Sequence, residues 1–378
     1  MRRLLLMAAA AALFASHPAW SDVTETITAK ESIKAGSGDR VAVHNLVGTV
    51  TIEGARGGAV DIDARFVGTG DDAKEAKAMA AKLSFEIEKT GSTTHVWVNY
   101  PTDEYRHFTY RPEGRWGNSN SQVRYRGKRV SVTSRSGGAE VYADITVRVP
   151  RGVNLFFENK VGDITASKVV GDLELDTASG RIKSSGGEGR LSADTGSGSV
   201  GVSNRKGDID VDTGSGAVDV EDVVGDVSVD TGSGSVDLNN IRSDEINIDT
   251  GSGGVEINNA SGSLYVDTGS GAVRATEFDA GKDLEIDTGS GGARIEGALG
   301  AVRRLRIDTG SGSVTLRTSD GLNMRLEVSA GSGGVRVDLP DTQVISSERG
   351  ELEVDLGDGS GDGVIDTGSG GVRITSQR

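Results

Sequence analysis

Five letters, DTGSG, begin at Asp194, Asp212, Asp230, Asp249, Asp267, Asp287, Asp308 and Asp366. Asp-Thr-Gly is also the spelling of the catalytic loop of aspartic proteases, which bring two such loops together so that two carboxylates share one proton. That chemistry needs one isolated pair in a cleft. A motif that returns along most of the chain makes a row of carboxylates instead, so proteolysis is set aside. The row invites a second reading, in which Asp194, Asp212, Asp230, Asp249, Asp267, Asp287 and Asp308 hold calcium weakly at the surface. Calcium takes 6–8 oxygen ligands, and the calcium β-roll repeat places its aspartate after the glycines. Here aspartate precedes them, and Ser199, Ala217, Ser235 or Gly254 follows the last glycine. The third reading is a structural corner. Asp and Ser hydrogen-bond nearby backbone in tight turns, Gly permits positive φ, and stacked Thr side chains bridge neighbours. This reading accounts for the constancy of the motif, so no cofactor and no dedicated metal site are expected.

Other chemistry is thin. Apart from His17 in the leader, the histidines are His44, His95 and His107, with no metal-ligand spacing. No Ser/His/Asp set, phosphate-cradling loop or zinc motif is present, and glycines mark corners. The chemical outlier is the segment from Tyr100 to Arg129, rich in aromatics and arginines in a chain with only 4% aromatic residues. Its Tyr105, Arg106, Phe108, Tyr110, Arg111, Trp116 and Tyr125 are the candidate partner-binding residues. Aromatic faces pack on sugars, and arginines pair with carboxylates. The competing reading is a long loop whose arginines rest on an acidic rod.

The elements that must position these residues follow from the period. From Asp176, which opens the degenerate copy DTASG, to Asp308, successive motif aspartates lie 18 to 21 residues apart. Such a period suits one coil of a β-solenoid. In Gly207–Val224, Ile209 and Val211 alternate with aspartates, then Val218 and Val220 do the same after the glycines, and Val223 adds a third inward contact. Each unit is two short strands and a corner. A flat meander of hairpins would expose a very large apolar face, and open sheets rarely exceed ~10 strands. Coiling closes the apolar faces onto each other, with equivalent residues stacked at ~4.8 Å. The fold class is therefore all-β, a single-stranded β-solenoid with ~18-residue coils, a short capping helix and a loop insertion near the N-terminus.

Residues 22–150 carry early coils, as in Val41–Ile52, interrupted by a helix over 71–83 and the aromatic and basic insertion over 100–130. Residues 151–378 form the repetitive DTGSG solenoid. Ala, Lys and Glu favour the helix, with acidic residues in its first turn, and it is expected to cover a sheet edge.

Arg2 and Arg3, the apolar run Leu4–Ala15 and the small residues of Ala19-Trp20-Ser21 read as a cleaved secretory signal over residues 1–21. Asp22 is then the mature start. The location is exported, in the periplasm or at the cell surface, with no later run long enough to span a bilayer. There is no cysteine, so neither disulfides nor thiolate metal sites are available. The formal charge of −15 becomes −17 once Arg2 and Arg3 leave with the signal. Such a surface repels phosphate backbones, and nucleic acid is not an expected partner.

The segments HNLVGTVTIEG and ITVRVPRGVNLFFENKVGDI, the leader and the GD-x-x-V-D-T-G-S-G coils resemble the bacterial "putative adhesin" family of uncharacterised β-solenoid domains. The resemblance implies an envelope location and an adhesive or scaffold role, with an envelope or surface protein or glycan as partner and no catalytic residues. The sequence reading is a non-enzymatic interaction protein. Its alternatives are a carbohydrate-active β-helix enzyme with a site near the insertion, or a calcium-binding β-roll-like protein. Oligomeric state is left open.

Overall fold

The computed structural model describes residues 22–111 and 120–377. The leader falls outside these residues, as does Trp116. The described chain winds as a β-solenoid with two long walls. One wall is built from the strands that end in Asp-Thr, such as Leu191–Thr195, Ile209–Thr213 and Val227–Thr231, paired in parallel and in register. The second wall takes the strands after each glycine corner, such as Val200–Lys206 and Val218–Val224, again parallel. Alternation decides which side is buried: Ile209, Val211, Val218 and Val220 face the core while Asp212, Asp219 and Glu221 face solvent.

A third, shorter side was not expected from two strands and a corner. Lys168, Asn204, Asp222, Asn240, Asn259 and Glu277 all take positive φ, between 51° and 57°. Each bends its strand so that the next residue points inward. Val169, Arg205, Val223, Ile241, Ala260 and Phe278 are buried there. Asn and Asp tolerate this left-handed conformation better than most residues.

The N-terminal end is closed. The coil of Arg40–Val47 and Val50–Ala55 stacks on Asn154–Val161 and Ile164–Val170. Beyond it the Asp-Thr wall adds Thr93–Asn99 and then Ser84–Thr90. The second wall adds Val141–Pro150, Ala59–Gly70 and, outermost, Val23–Lys34. The helix is Ala73–Ala80, with Asp72 as its N-cap accepting from the Glu75 N–H. It lies against the outermost strand Val23–Lys34 as well as Ala59–Gly70. It packs on the core side of strand Ala59–Gly70, where a Cβ on Gly68 would lie 2.4 Å from Ala80 N. Ala76 and Ala80 are buried in this contact. The helix therefore plugs the interior of the coil and leaves strand Val23–Lys34 as the edge.

The insertion is not an extended loop. His107–Thr109, Lys128–Thr133 and Asn120–Tyr125 form a small sheet of their own. Phe108, Val123, Tyr125, Val130 and Val132 join the main core.

At the other end the chain order and the spatial order part company. Strand Gly361–Thr367 pairs with Arg304–Thr309 on one side and with Met324–Ala330 on the other. The last coil of the sequence thus sits between two earlier ones. Asp308 is in register with Asp366, and Ser329 with Asp366. Two antiparallel strands, Glu351–Leu356 and Thr342–Glu348, then extend the Asp-Thr wall. The second wall stops at Val335–Asp338.

Candidate functional site: the acidic row and the N-terminal cleft

The repeated corner divides its labour differently from the sequence expectation. Each motif threonine, not the aspartate or serine, makes the corner's hydrogen bonds. Thr213 is fully buried; its hydroxyl donates to the Gly198 carbonyl one coil back at 3.0 Å and accepts from the Gly216 N–H at 3.2 Å. Thr231, Thr250, Thr268 and Thr288 repeat the pair of contacts. The glycines of this corner are required by proximity rather than by positive φ. A Cβ on Gly216 would stand 1.7 Å from the Gly198 oxygen, and one on Gly253 would stand 1.6 Å from that of Gly234. Positive φ belongs to the opposite corner, at Gly207 and Gly225. There the following aspartates cap backbone: Asp208 accepts from the Asp226 N–H, and Asp226 from the Asp244 N–H.

The motif aspartates are left facing outward as a continuous row. Register places Asp176, Asp194, Asp212, Asp230, Asp249, Asp267, Asp287 and Asp308 one above another, with Asp366 next. Burial, and after it the neighbouring carboxylates, raises the pKa of Asp194, Asp249 and Asp287. Among the described residues no three His, Asp or Glu side chains converge around a point where a metal could sit.

Toward the N-terminus the row changes chemistry. Asp176 is in register with Glu158, Glu158 with His44, and His44 with Trp97. His44 is 6% exposed. Its Nδ1 lies 3.1 Å from Glu158 Oε2, and its Nε2 lies 3.1 Å from His95 Nδ1. The Glu158 carboxylate can only accept, so Nδ1 of His44 donates to it and Nε2 of the same ring faces His95. Burial, then the adjacent His44, lowers the His95 pKa. Burial raises the Glu158 pKa, but hydrogen bonds from His44 and Lys160 outweigh it and hold the carboxyl below its ordinary value. The His44 ring stacks on Trp97 at 3.7 Å, and Arg126 lies over the indole at 5.3 Å while pairing with Glu86. Arg126 and Asn99 pull Glu86 down to about 2. The arrangement ties His95 to the Glu158 carboxylate through the buried His44. Spacing along the sequence gave no sign of it, because His44 and His95 meet only through the parallel pairing of two strands 51 residues apart.

The candidate partner-binding residues separate into two groups. Phe108, Tyr110 and Tyr125 are core residues, 0%, 3% and 2% exposed. The Tyr125 hydroxyl donates to the carbonyls of Val98 and His44, and its ring packs edge-on against Tyr100. A scarce aromatic in a glycine-rich chain is worth most where it fills volume, which corrects the expectation of an aromatic binding face. Tyr105, Arg106 and Arg111 do reach the surface, on the wall of a cleft of about 580 Å³. Helix residue Met79 and the carboxylates of Glu104 and Glu140 also line it. Burial, opposed by Arg111, raises the Glu140 pKa. The cleft is thus a mixed-charge site with an apolar patch, built where the small sheet meets the helix.

Residues 144–299 match the Toastrack DUF4097 family. The Toastrack domain is a β-solenoid, and the match accords with the resemblance drawn from the sequence motifs. It spans the regular coils, while the cleft lies before it and the displaced last coil after it. Similar solved structures include a putative cell adhesion protein from Clostridium sporogenes ATCC 15579, at 9% identity and TM-score 0.19, covering 93% of this chain and 100% of that one. A putative adhesin from Bacteroides fragilis NCTC 9343 has 10% identity and TM-score 0.27, covering 93% and 97%. A putative lipid binding protein from Parabacteroides distasonis ATCC 8503 has 12% identity and TM-score 0.26, also covering 93% and 97%. No curated protein matches the chain.

Proposed function

We propose that the protein is an exported, non-enzymatic interaction module of the bacterial cell envelope, adhesin-like or scaffolding, which holds a protein or glycan partner in the N-terminal cleft. The observation that carries this reading is the contrast between a uniform rod and one irregular end. Along the coils the inward residues and the outward motif aspartates recur from coil to coil, while the other outward positions vary singly, as at Asp210, Ser228, Asn247 and Tyr265. The cleft is where distinct charged groups converge, with Arg106, Arg111, Glu104 and Glu140 around Tyr105 and Met79. Both signs of charge in one recess suit a ligand with polar groups of both kinds, as in peptide segments and amino-substituted glycans. The long acidic row keeps the rod soluble and repels other anionic surfaces.

The reading is tested by binding of the chain from residue 22 to fractionated envelope glycans and peptides, measured by calorimetry. Arg106→Ala combined with Arg111→Ala should weaken binding by about tenfold or more while leaving the melting temperature in place. Turnover of an envelope polysaccharide abolished by a single substitution, for instance at His95 or Glu158, would show an enzyme instead.

A further inference from the structure

The two ends of the solenoid are finished differently. At the N-terminal end the helix and the small sheet fill the interior, and both edge strands carry charge: VTETITAKESIK on one wall and SFEIEKT on the other. At the C-terminal end nothing comparable covers the core among the described residues. The Asp-Thr wall runs two strands further than the second wall, which ends at Val335–Asp338, paired only with Val372–Ser376. The end is therefore a step: an overhang made by the hairpin Thr342–Leu356 on one wall, and a notch two strands deep on the other. Val344 points to the core side, opposite the buried Val354, yet is 62% exposed because no wall faces it. Val335, Val337 and Leu339 stand half-buried at the notch. The overhanging edge strand, TQVISSE, has no charge before Glu348.

A step of this kind is complementary to itself. Rotating a second copy by two-fold symmetry about an axis parallel to the strands places its overhang in the first copy's notch, and the reverse. The strand directions agree. Thr342–Glu348 is antiparallel to Glu351–Leu356, which is antiparallel to Met324–Ala330, so it runs with the coils of its own wall. The second-wall strands run the other way, and the rotation preserves direction along its axis. Strand Thr342–Glu348 of one copy therefore meets Val335–Asp338 of the other as an antiparallel pair, and it does so twice. Both ladders extend existing walls, and Val344 enters a continued core. Uncovered edge strands are otherwise sites of uncontrolled pairing, and isologous contacts are the commonest way to close one.

We propose that the C-terminal step is the interface of a tail-to-tail homodimer, in which each overhanging hairpin completes the other copy's second wall. The test is the solution mass of residues 22–378, by light scattering and sedimentation at micromolar concentrations. The expected result is twice the chain mass, with a melting temperature that rises with protein concentration, as mass action requires. Val344→Lys should yield monomers with an unchanged circular dichroism spectrum, since this exposed position has room for lysine in the single chain. Val337→Lys, on the notch side, should do the same. Ile87→Lys, at the exposed N-terminal edge, should leave the dimer intact. A monomeric wild-type chain overturns the proposal. So does a dimer that survives both Val344→Lys and Val337→Lys, or one dissolved by Ile87→Lys.

Discussion

Replacing Gly216 by alanine tests the claim that the DTGSG glycines exist to let coils touch. The added Cβ would stand 1.7 Å from the oxygen and 2.3 Å from the carbon of Gly198, both backbone atoms that cannot swing aside. An ordinary contact at this point is about 3.4 Å, so the two coils must part locally by roughly 1.5 Å. That distance breaks the bond from Thr213 to Gly198, now 3.0 Å, and the bond from the Gly214 N–H to the Thr195 carbonyl, now 3.2 Å. The groups then lose partners at about 1 kcal/mol each, and the distorted packing adds about 1–3 kcal/mol. The expected loss is about 3–5 kcal/mol. Gly201→Ala is the control: its Cβ would meet nothing nearer than a lysine methylene at 3.9 Å. It should be neutral or stabilise by a few tenths of a kcal/mol, through the stiffer unfolded chain. Urea unfolding of residues 22–378, followed by circular dichroism, measures both. If the two variants differ by less than about 1 kcal/mol, close approach is not what the corner glycines provide.

Four further outcomes follow from the site geometry. Thr250→Val removes a buried hydroxyl that links Gly234 to Gly253, and should cost about 1–3 kcal/mol in the same unfolding assay, with Thr250→Ser milder. Asp194, Asp249 and Asp287 have raised pKa values, so the folded state binds their protons more readily than the unfolded state does. Their contribution to stability is greatest at low pH and is lost as pH rises through the folded values. Asp249→Asn should therefore raise the melting temperature at pH 7 and leave it unchanged once the carboxyl is protonated. Salt near 1 M, where the Debye length is about 3 Å, should raise the wild-type melting temperature equally for sodium and for calcium at matched ionic strength. An excess effect of calcium would reveal a dedicated site on the row. His95 is lowered from its ordinary value of 6.5, so the unfolded chain takes up this proton first as pH falls. Stability should decline below about pH 6.5, and His95→Gln should flatten that decline in a melting-temperature profile.

The coil period and the alternation of valine with aspartate were enough to predict the walls, because both are local properties that repeat. The same locality hid the rest. Asn204, Asp222 and Asn240 mark a third corner, but one polar residue in a polar loop carries no visible period until the left-handed turns are seen stacked. The aromatic segment misled for a physical reason: Phe108 and Tyr125 are rare in this chain because most of its core is filled by Val, Ile and Leu, and the widened N-terminal end needs larger rings. Tyr105, Arg106 and Arg111 came out on a cleft because they flank the short strand His107–Thr109, while Phe108, Thr109 and Tyr110 turn to the core. The pairing of His44 with His95 depends on which distant strands become neighbours, a choice made by the whole end of the molecule.

The displaced last coil sets a condition on the order of events as the chain emerges. Residues 304–318 and 324–338 are complete before 361–376 exist, yet in the finished protein they never touch along the Asp-Thr wall, because Gly361–Thr367 separates them. Either the later coil waits unpaired, or it docks early and must be lifted away. Without Gly361–Thr367 and Val372–Ser376, strands Arg304–Thr309 and Val314–Thr318 have no following neighbour of the kind seen in the fold. Residues 361–376 therefore set when their neighbours can settle: until they are made, the coils of 304–318 and 324–338 each lack the partner they have in the fold and present an open edge of the kind that aggregates.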